Sequence, residues 1–451
     1  MKPEKKYQNA LDFIYSFIDL SVSRDLRYSP ERFDLSRMYS LMSKLGDPQL
    51  NFEIIHVAGT KGKGSICAMT ASILKEAGYK VGFYSSPHMI DFRERIKVNN
   101  NNISRLSLIN YVIELRPIFN SIDKLSTFEI ITSIAFKYFS KQEIDIAVVE
   151  VGMGGRLDAT NIVKPIISII SPISYDHMKI LGNSIPQIAR EKAGIIKKSI
   201  PVIISPQIKL AKKEIEKIAI GKESQIIDIS QEYSFYQMEY SLKNQTFVIK
   251  DKLRKLPDTK NQIYEIPLIG DHQINNAVTA YACAMHLRKL GYHKINEMAI
   301  KDGFIKVDWP GRFEIVNQKP LIIVDGAHNR DSIFKLGKTI KKYLAAKEVI
   351  LIFGVSEDKE VELMLKIINP YVDQFIFTKS NHPRALGLSA LEKIATDLGL
   401  VDFSIEEIGD IISLILSDNE PDKVFIASGS IFIAGAIKQL IEDKGKEKLR
   451  V

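Results

Sequence analysis

Short, continuously apolar runs rich in β-branched residues recur along the chain with helical patterns between them. In the first part these are FEIIHV (52–57), KVGFYS (80–85), DIAVVEV (145–151), PIISIIS (165–171) and PVIIS (201–205). A strand that is apolar on both faces has to be covered on both faces, so the pattern calls for a mostly parallel sheet with helices packed above and below it. The expected class is doubly wound α/β. At 451 residues the chain exceeds what one ordinary core holds, which predicts two domains. The alternation restarts with LIIVDG (321–326), EVILIFG (348–354), QFIFTK (374–379) and KVFIASG (423–429). We therefore expect a domain over 1–296 and a smaller one over 297–451. The linker falls near 306–315, where Trp309, Pro310 and Gly311 break both neighbouring patterns. Between them SFYQMEYSLKNQTFVI (234–249) alternates and is broken by Lys-Asn, predicting an antiparallel ribbon added to the first domain.

Composition narrows the class of partner. Hydrophobic residues at 45% and charged residues at 26% are those of a soluble globular protein. The formal charge of +8 is spread along the chain without a basic stripe interleaved with aromatics, which favours small anionic substrates over nucleic acid. The basic terminus KGKEKLRV reads as a solvated tail. Cys67 and Cys283 cannot build a disulfide framework and suit a reducing compartment. No run approaches the roughly 18 apolar residues of a membrane span, and the N-terminus lacks a signal-peptide pattern. A cytoplasmic monomer without membrane or nucleic-acid partners is expected.

The stretch HVAGTKGKGSICAM (56–69) reads as strand, glycine-rich turn and helix. Backbone N–H groups of Gly62, Lys63, Gly64 and Ser65 would point at an anion at the positive end of that helix, with Lys63 neutralising the outer phosphates. The common phosphate-loop pattern has Ser or Thr directly after the lysine. Here Gly64 follows Lys63, and the hydroxyl arrives one place later.

Several acids and bases fall at strand ends, where open α/β sheets bind ligands. Ser86 lies in the Ser-Ser-Pro-His turn after one strand and is a candidate hydroxyl for Mg²⁺. Glu150 closes a buried strand, where a carboxylate has to be paired or hold a cation. The glycines of GMGG (152–155) allow close backbone approach, with Arg156 and Asp158 presented from the same loop. Asp176 and His177 follow the next strand, and Lys192 sits in a downstream helical stretch. Taken singly, His177 reads as a packing residue and Lys192 as a solvated charge; their combination with the phosphate loop points to a site.

Seven motifs occur in order: HVAGTKGKGS, SSPHMIDFRERI, EVGMGGRLDATN, the segment from DH (176–177) to REKAGIIK, GDHQINNA, WPGRFEIV and DGAHN. Together they resemble the folylpolyglutamate synthase and dihydrofolate synthase family of the Mur ligase superfamily. The resemblance implies a P-loop-containing, Mur-ligase-like N-terminal domain with a mostly parallel sheet and a smaller Rossmann-like α/β C-terminal domain. By matching position it implies that Gly62, Lys63, Gly64, Ser65, Asn276, Arg312 and Asp325 bind ATP and that Ser86, Glu150 and His177 bind Mg²⁺. It also implies catalytic roles for Lys63, Lys192 and His328. In the family the lysine matching Lys192 is carbamylated, and His328 is expected near the acyl-phosphate and the incoming glutamate. Thr127, Phe128 and Asp158 match the pterin region, although Thr127 and Phe128 read equally as a helix start and a core aromatic. A monovalent cation is a further expectation. The chain departs from the family pattern at Lys61, in place of Asn, at GMGG, at NNNN (99–102) and after Gly429, where the usual acid is missing.

The activity so implied is ATP-dependent addition of L-glutamate to folates through an acyl-phosphate, with conversion of dihydropteroate to dihydrofolate as a second activity. Two alternatives stay open at this point: dihydrofolate synthesis as the main activity, and a P-loop ATPase or binding module that ligates nothing. A peptidoglycan-precursor ligase is disfavoured, because those resemble GTNGKT.

Overall fold

The computed structural model describes residues 3–17, 34–252, 262–418 and 420–448. The basic C-terminal cluster therefore ends outside the described residues. The first sheet is built from β1 (Glu53–Ala58), β2 (Val81–Tyr84), β3 (Ile96–Val98), β4 (Asn101–Asn102), β5 (Ile146–Glu150), β6 (Ile167–Ile170), β7 (Val202–Ile204) and β8 (Ile226–Asp228). Their order across the sheet is β4-β3-β2-β5-β1-β6-β7-β8, with every neighbouring pair parallel except β2-β3 and β3-β4. Every residue of β2, β5, β6 and β7 is buried, as two covering helix layers require. The four asparagines turn β3 into β4: Asn99 and Asn100 both have positive φ, the two-residue hairpin geometry that Asn tolerates.

The expected ribbon has three strands, β9 (Tyr233–Tyr240), β10 (Gln245–Asp251) and β11 (Gln262–Ile266), all antiparallel. The second sheet holds β12 (Glu314–Gln318), β13 (Leu321–Val324), β14 (Glu348–Phe353), β15 (Gln374–Phe377), β16 (Phe403–Ile405) and β17 (Lys423–Ser428). Its order is β12-β13-β17-β14-β15-β16, with β12 antiparallel at one edge and the remaining strands parallel.

The helix Glu297–Ile305 was expected to open the second domain. Instead it buries Ile300 and Phe304 in one core cluster with Ile66, Met69 and Ile73 of the phosphate-loop helix, and Val307 joins them. We place the domain boundary between Val307 and Glu314, inside the expected linker. Apolar burial explains the shift, because a helix belongs to the core that covers its hydrophobic face. Among the described residues no helix is long and apolar enough to cross a membrane.

Candidate active site

β1 ends at Ala58, and the chain turns through Gly59–Gly62 into the helix Lys63–Glu76. The first N–H groups of that helix have no intrahelical acceptor and lie at its positive end, which makes an anion seat. Gly62 caps the helix with φ of 84°, a left-handed value. A side chain there would also strike Asn276, whose Oδ1 lies 2.3 Å from the position a Cβ would take. The helix Asp271–Lys289 thus presses Asn276 onto the loop, and Gln273 fixes it by accepting from its Nδ2 at 2.9 Å.

Glu150 ends β5 opposite Val57 of β1. Its carboxylate is buried, with Oε1 3.9 Å from the Lys63 ammonium and Oε2 accepting from the Ser86 N–H at 3.3 Å. Burial pushes the Glu150 carboxyl above its ordinary value, against the pull of Lys63, the Ser86 N–H and Arg312. Such a group gains from a cation. Glu150 and Ser86 are neighbouring hard oxygen residues, the type Mg²⁺ takes. Among the described residues, however, no three His, Cys, Asp or Glu side chains cluster as a metal site. His177 stands beside Asp176 instead, its Nε2 3.8 Å from Asp176 Oδ1.

Asp176 joins the two domains. Its Oδ2 accepts from Lys61 of the phosphate loop at 2.9 Å and from Asn329 Nδ2 of the second domain at 2.9 Å, while Lys359 lies 4.0 Å from Oδ1. Burial pushes the Asp176 carboxyl up, but Lys61, His177 and Lys359 outweigh it and hold the group well below the usual carboxylate range. Asn329 also caps the helix Arg330–Tyr343, its Oδ1 accepting from the Ser332 N–H at 3.1 Å. That double engagement brings the DGAHN turn to the phosphate loop. In the turn, His328 Nδ1 lies 2.7 Å from the Gly326 carbonyl, which can only accept, so Nδ1 carries the proton and Nε2 keeps its lone pair. Burial, with Lys61 and Lys359 nearby, lowers the His328 pKa to about 3.

Asp325 spends both oxygens on backbone, accepting from Phe313 N–H at 2.9 Å and Ala327 N–H at 2.8 Å. It thereby fixes the linker against the DGAHN turn. Arg312 donates from Nη1 to the Gly311 carbonyl at 2.8 Å and acts electrostatically on both Glu150 and Asp325. Lys192 is 3% exposed, near the end of the helix Ile185–Ala193. Burial, then the neighbouring Lys63, lowers its pKa to about 7.

On the other side of β5, Phe128 packs across the GMGG loop: its Cζ lies 2.5 Å from where a Gly152 Cβ would be. Asp158 accepts from the Met153 N–H at 2.9 Å and from the Thr160 N–H and hydroxyl at 3.0 and 2.5 Å. Thr160 reaches on to buried His56, 2.8 Å from its Nε2. Phe128 and Asp158 therefore share one loop, but Thr127 differs. Its hydroxyl faces the carbonyls of Ile14 and Phe17 at 3.2 and 3.3 Å and ties down the N-terminal helix Pro3–Tyr15.

The motifs alone did not single out Asn329, Lys359 or His56 as members of the constellation. Asn329 had the clearest signal, a capping residue directly after His328. The others become visible only when the sheets are assembled.

Residues 57–284 match the Mur ligase middle domain, and residues 311–431 match the Mur ligase glutamate ligase domain. The fold, a large sheet whose interior strand β1 runs into the phosphate loop, a three-stranded ribbon and a second, smaller α/β sheet, is therefore that of a Mur ligase. Within that superfamily the chain belongs to the folylpolyglutamate and dihydrofolate synthase family. It is 32% identical to the dihydrofolate synthase/folylpolyglutamate synthase of Bacillus subtilis, over 97% of this chain and 99% of the relative. It is 31% identical to the folylpolyglutamate synthase of Lacticaseibacillus casei, over 96% and 98%. A Mycobacterium tuberculosis folylpolyglutamate synthase solved with ADP and AMPPCP superposes with a TM-score of 0.84 at 27% identity, over 98% of this chain and 99% of that one.

Proposed function

We propose that this chain is an ATP-dependent amide ligase that joins L-glutamate to the carboxylate of a folate, and of dihydropteroate, through an acyl-phosphate. The observation that carries the reading is the shared Asp176 oxygen, which draws the phosphate loop, through Lys61, and the DGAHN turn, through Asn329, to one point.

In the first step a carboxylate oxygen of the folate bonds to the γ-phosphorus of ATP as the bond to the β,γ-bridging oxygen breaks, releasing ADP. Charge develops on the transferring phosphoryl group. Lys63, Arg312 and the N–H groups of the helix start at Gly64 and Ser65 are the preorganised positive groups that offset it. Glu150 and Ser86 would hold Mg²⁺, which would supply further neutralisation of phosphate charge, while His177 stays beside Asp176. In the second step the neutral glutamate amine bonds to the acyl carbon, and phosphate leaves with the former carboxylate oxygen, the bonding electron pair and the proton that the amine gives up. His328 Nε2 accepts a hydrogen bond from that amine and orients it. Enclosure between the two sheets keeps water from the acyl-phosphate.

Lys192 is suited to carbamylation, because only a neutral amine attacks CO₂ and its pKa of about 7 leaves a large neutral fraction. The ammonium gives up one proton to become the neutral amine, the N–C bond forms as a second proton leaves, and a cation has become an anion near Lys63. Phe128 and Asp158 form the pterin seat, the ring stacking on the flat heterocycle and the acid accepting from it. Thr127 contributes by holding the N-terminal helix.

The B. subtilis relative carries both activity names and the L. casei relative one. ADP release measured with ATP, Mg²⁺ and glutamate, separately with dihydropteroate and with tetrahydrofolate, tests the reading. Glutamate-dependent turnover with both is expected. Turnover that ignores glutamate, or that neither carboxylate supports, contradicts it.

A further inference from the structure

Gly64 is glycine for a reason that lies outside the phosphate loop. It sits in the helix Lys63–Glu76 with no left-handed φ, so its backbone would accept any residue, and alanine is the better helix former. Space is what excludes a side chain. A Cβ on Gly64 would lie 2.4 Å from Cζ2 and 3.1 Å from Cε2 of Trp309, in the linker. The indole cannot swing aside freely. It packs against the first domain's core and meets Phe83 edge to face, ring centroids 5.5 Å apart, with Lys97 Nζ on the Phe83 ring at 5.9 Å. Its own ring carries the Arg312 guanidinium, 5.8 Å from the centroid. The indole N–H is buried and has no partner, so shape rather than a hydrogen bond holds the ring in place.

We propose that Trp309 is a positioning residue that seats the linker on the phosphate loop at Gly64 and so sets where Arg312 stands relative to bound ATP. This rests on the reading of Gly62–Ser65 as the ATP site. It also gives a physical reason for a loop with glycine directly after the lysine, since the hydroxyl side chain usual at that position would occupy the indole's seat. A shift of the loop is transmitted to the guanidinium through one ring and three residues of chain. The same contact makes the linker part of the nucleotide site before the second domain contributes any side chain.

The test combines the chain's single tryptophan with a double-mutant cycle on Gly64→Ala and Trp309→Ala. Without nucleotide, Gly64→Ala should shift the indole emission to longer wavelength, because the added methyl expels the ring from its seat. By calorimetry, Gly64→Ala should bind MgATP about tenfold or more weakly than wild type. Trp309→Phe keeps a ring over Gly64 and should stay within about threefold of wild type. The double variant Gly64→Ala/Trp309→Ala should bind no worse than Trp309→Ala alone, since the methyl then has room. Defects that multiply in the double variant, with unchanged emission in Gly64→Ala, would overturn the proposal. Absence of MgATP binding by the wild type would instead sink the ATP-site reading, while the nucleotide-free emission still decides whether Trp309 is seated on Gly64.

Discussion

Lys61 Nζ and Asp176 Oδ2 lie 2.9 Å apart, and the same oxygen receives Asn329 Nδ2 from the second domain. The residue by which this phosphate loop departs from its family's usual Asn is therefore an ion-pair partner at the domain junction. Both side chains are largely buried, at 13% and 10% exposure. Removing one leaves the other charge poorly solvated, at a cost of about 3 kcal/mol. Asp176→Ala should lower the unfolding free energy by that order and reduce ligation, because the DGAHN turn loses its tie to the loop. Urea unfolding paired with an ADP-release assay checks both, and unchanged stability would remove Asp176 from the junction.

Lys63 faces Glu150 at 3.9 Å and is the phosphate loop's central cation. Lys63→Ala should lower ligation by about 10²-fold or more, the scale seen when one preorganised charge stabiliser is lost. Its circular dichroism should match wild type. Wild-type turnover in the variant would remove Lys63 from the chemistry.

Lys192 carries a pH signature. Its native pKa of about 7 lies below the unfolded value of about 10.4, so between those limits the unfolded chain binds more protons. This residue's contribution to stability accordingly rises with pH from about 7 to about 10.4 and is most unfavourable below that window. Lys192→Met should abolish that slope in CO₂-free buffer, as urea midpoints at pH 7 and 9 would show. Lys192→Ala should lose ligation and regain part of it with added small carboxylic acids, which stand in for the carbamate. Full activity without them would count against the carbamate.

Arg312 lies over the Trp309 ring and acts electrostatically on the Glu150 and Asp325 carboxylates. Arg312→Ala should weaken ATP binding by about tenfold, and Arg312→Lys should recover little, because a point charge lacks the planar fork that stacks and pairs at once. Calorimetric ATP affinities of the two variants decide this.

Phe128 lies across Gly152 in the loop that carries Asp158. Phe128→Leu should raise the folate KM several-fold, losing an aromatic face worth about 1 kcal/mol, while the ATP KM stays unchanged. Equal changes in both would mark a general packing defect.

The parallel sheets were legible because buried strands leave apolar runs that no amphipathic pattern imitates. The phosphate loop was legible because its glycines and lysine are contiguous. Glu150 could be singled out as a buried acid at a strand end, and its Lys63 and Ser86 neighbours follow from the β2-β5-β1 order. What the sequence hid was long-range pairing. The covering of Gly64 by Trp309 and the Asp176 junction join residues more than a hundred positions apart, and no local pattern encodes such distances. The second domain's start at residue 297 falls too early by the length of the helix Glu297–Ile305, because a local pattern tells which face is apolar, not which core that face covers.

The most direct measurement follows an oxygen atom. Tetrahydrofolate labelled with ¹⁸O in its glutamate carboxylates, turned over with unlabelled ATP and glutamate, should deliver one ¹⁸O into each phosphate released, since the acyl-phosphate breaks at its acyl carbon. Phosphate free of label, with amide product still formed, would contradict the acyl-phosphate route on which these residue roles depend.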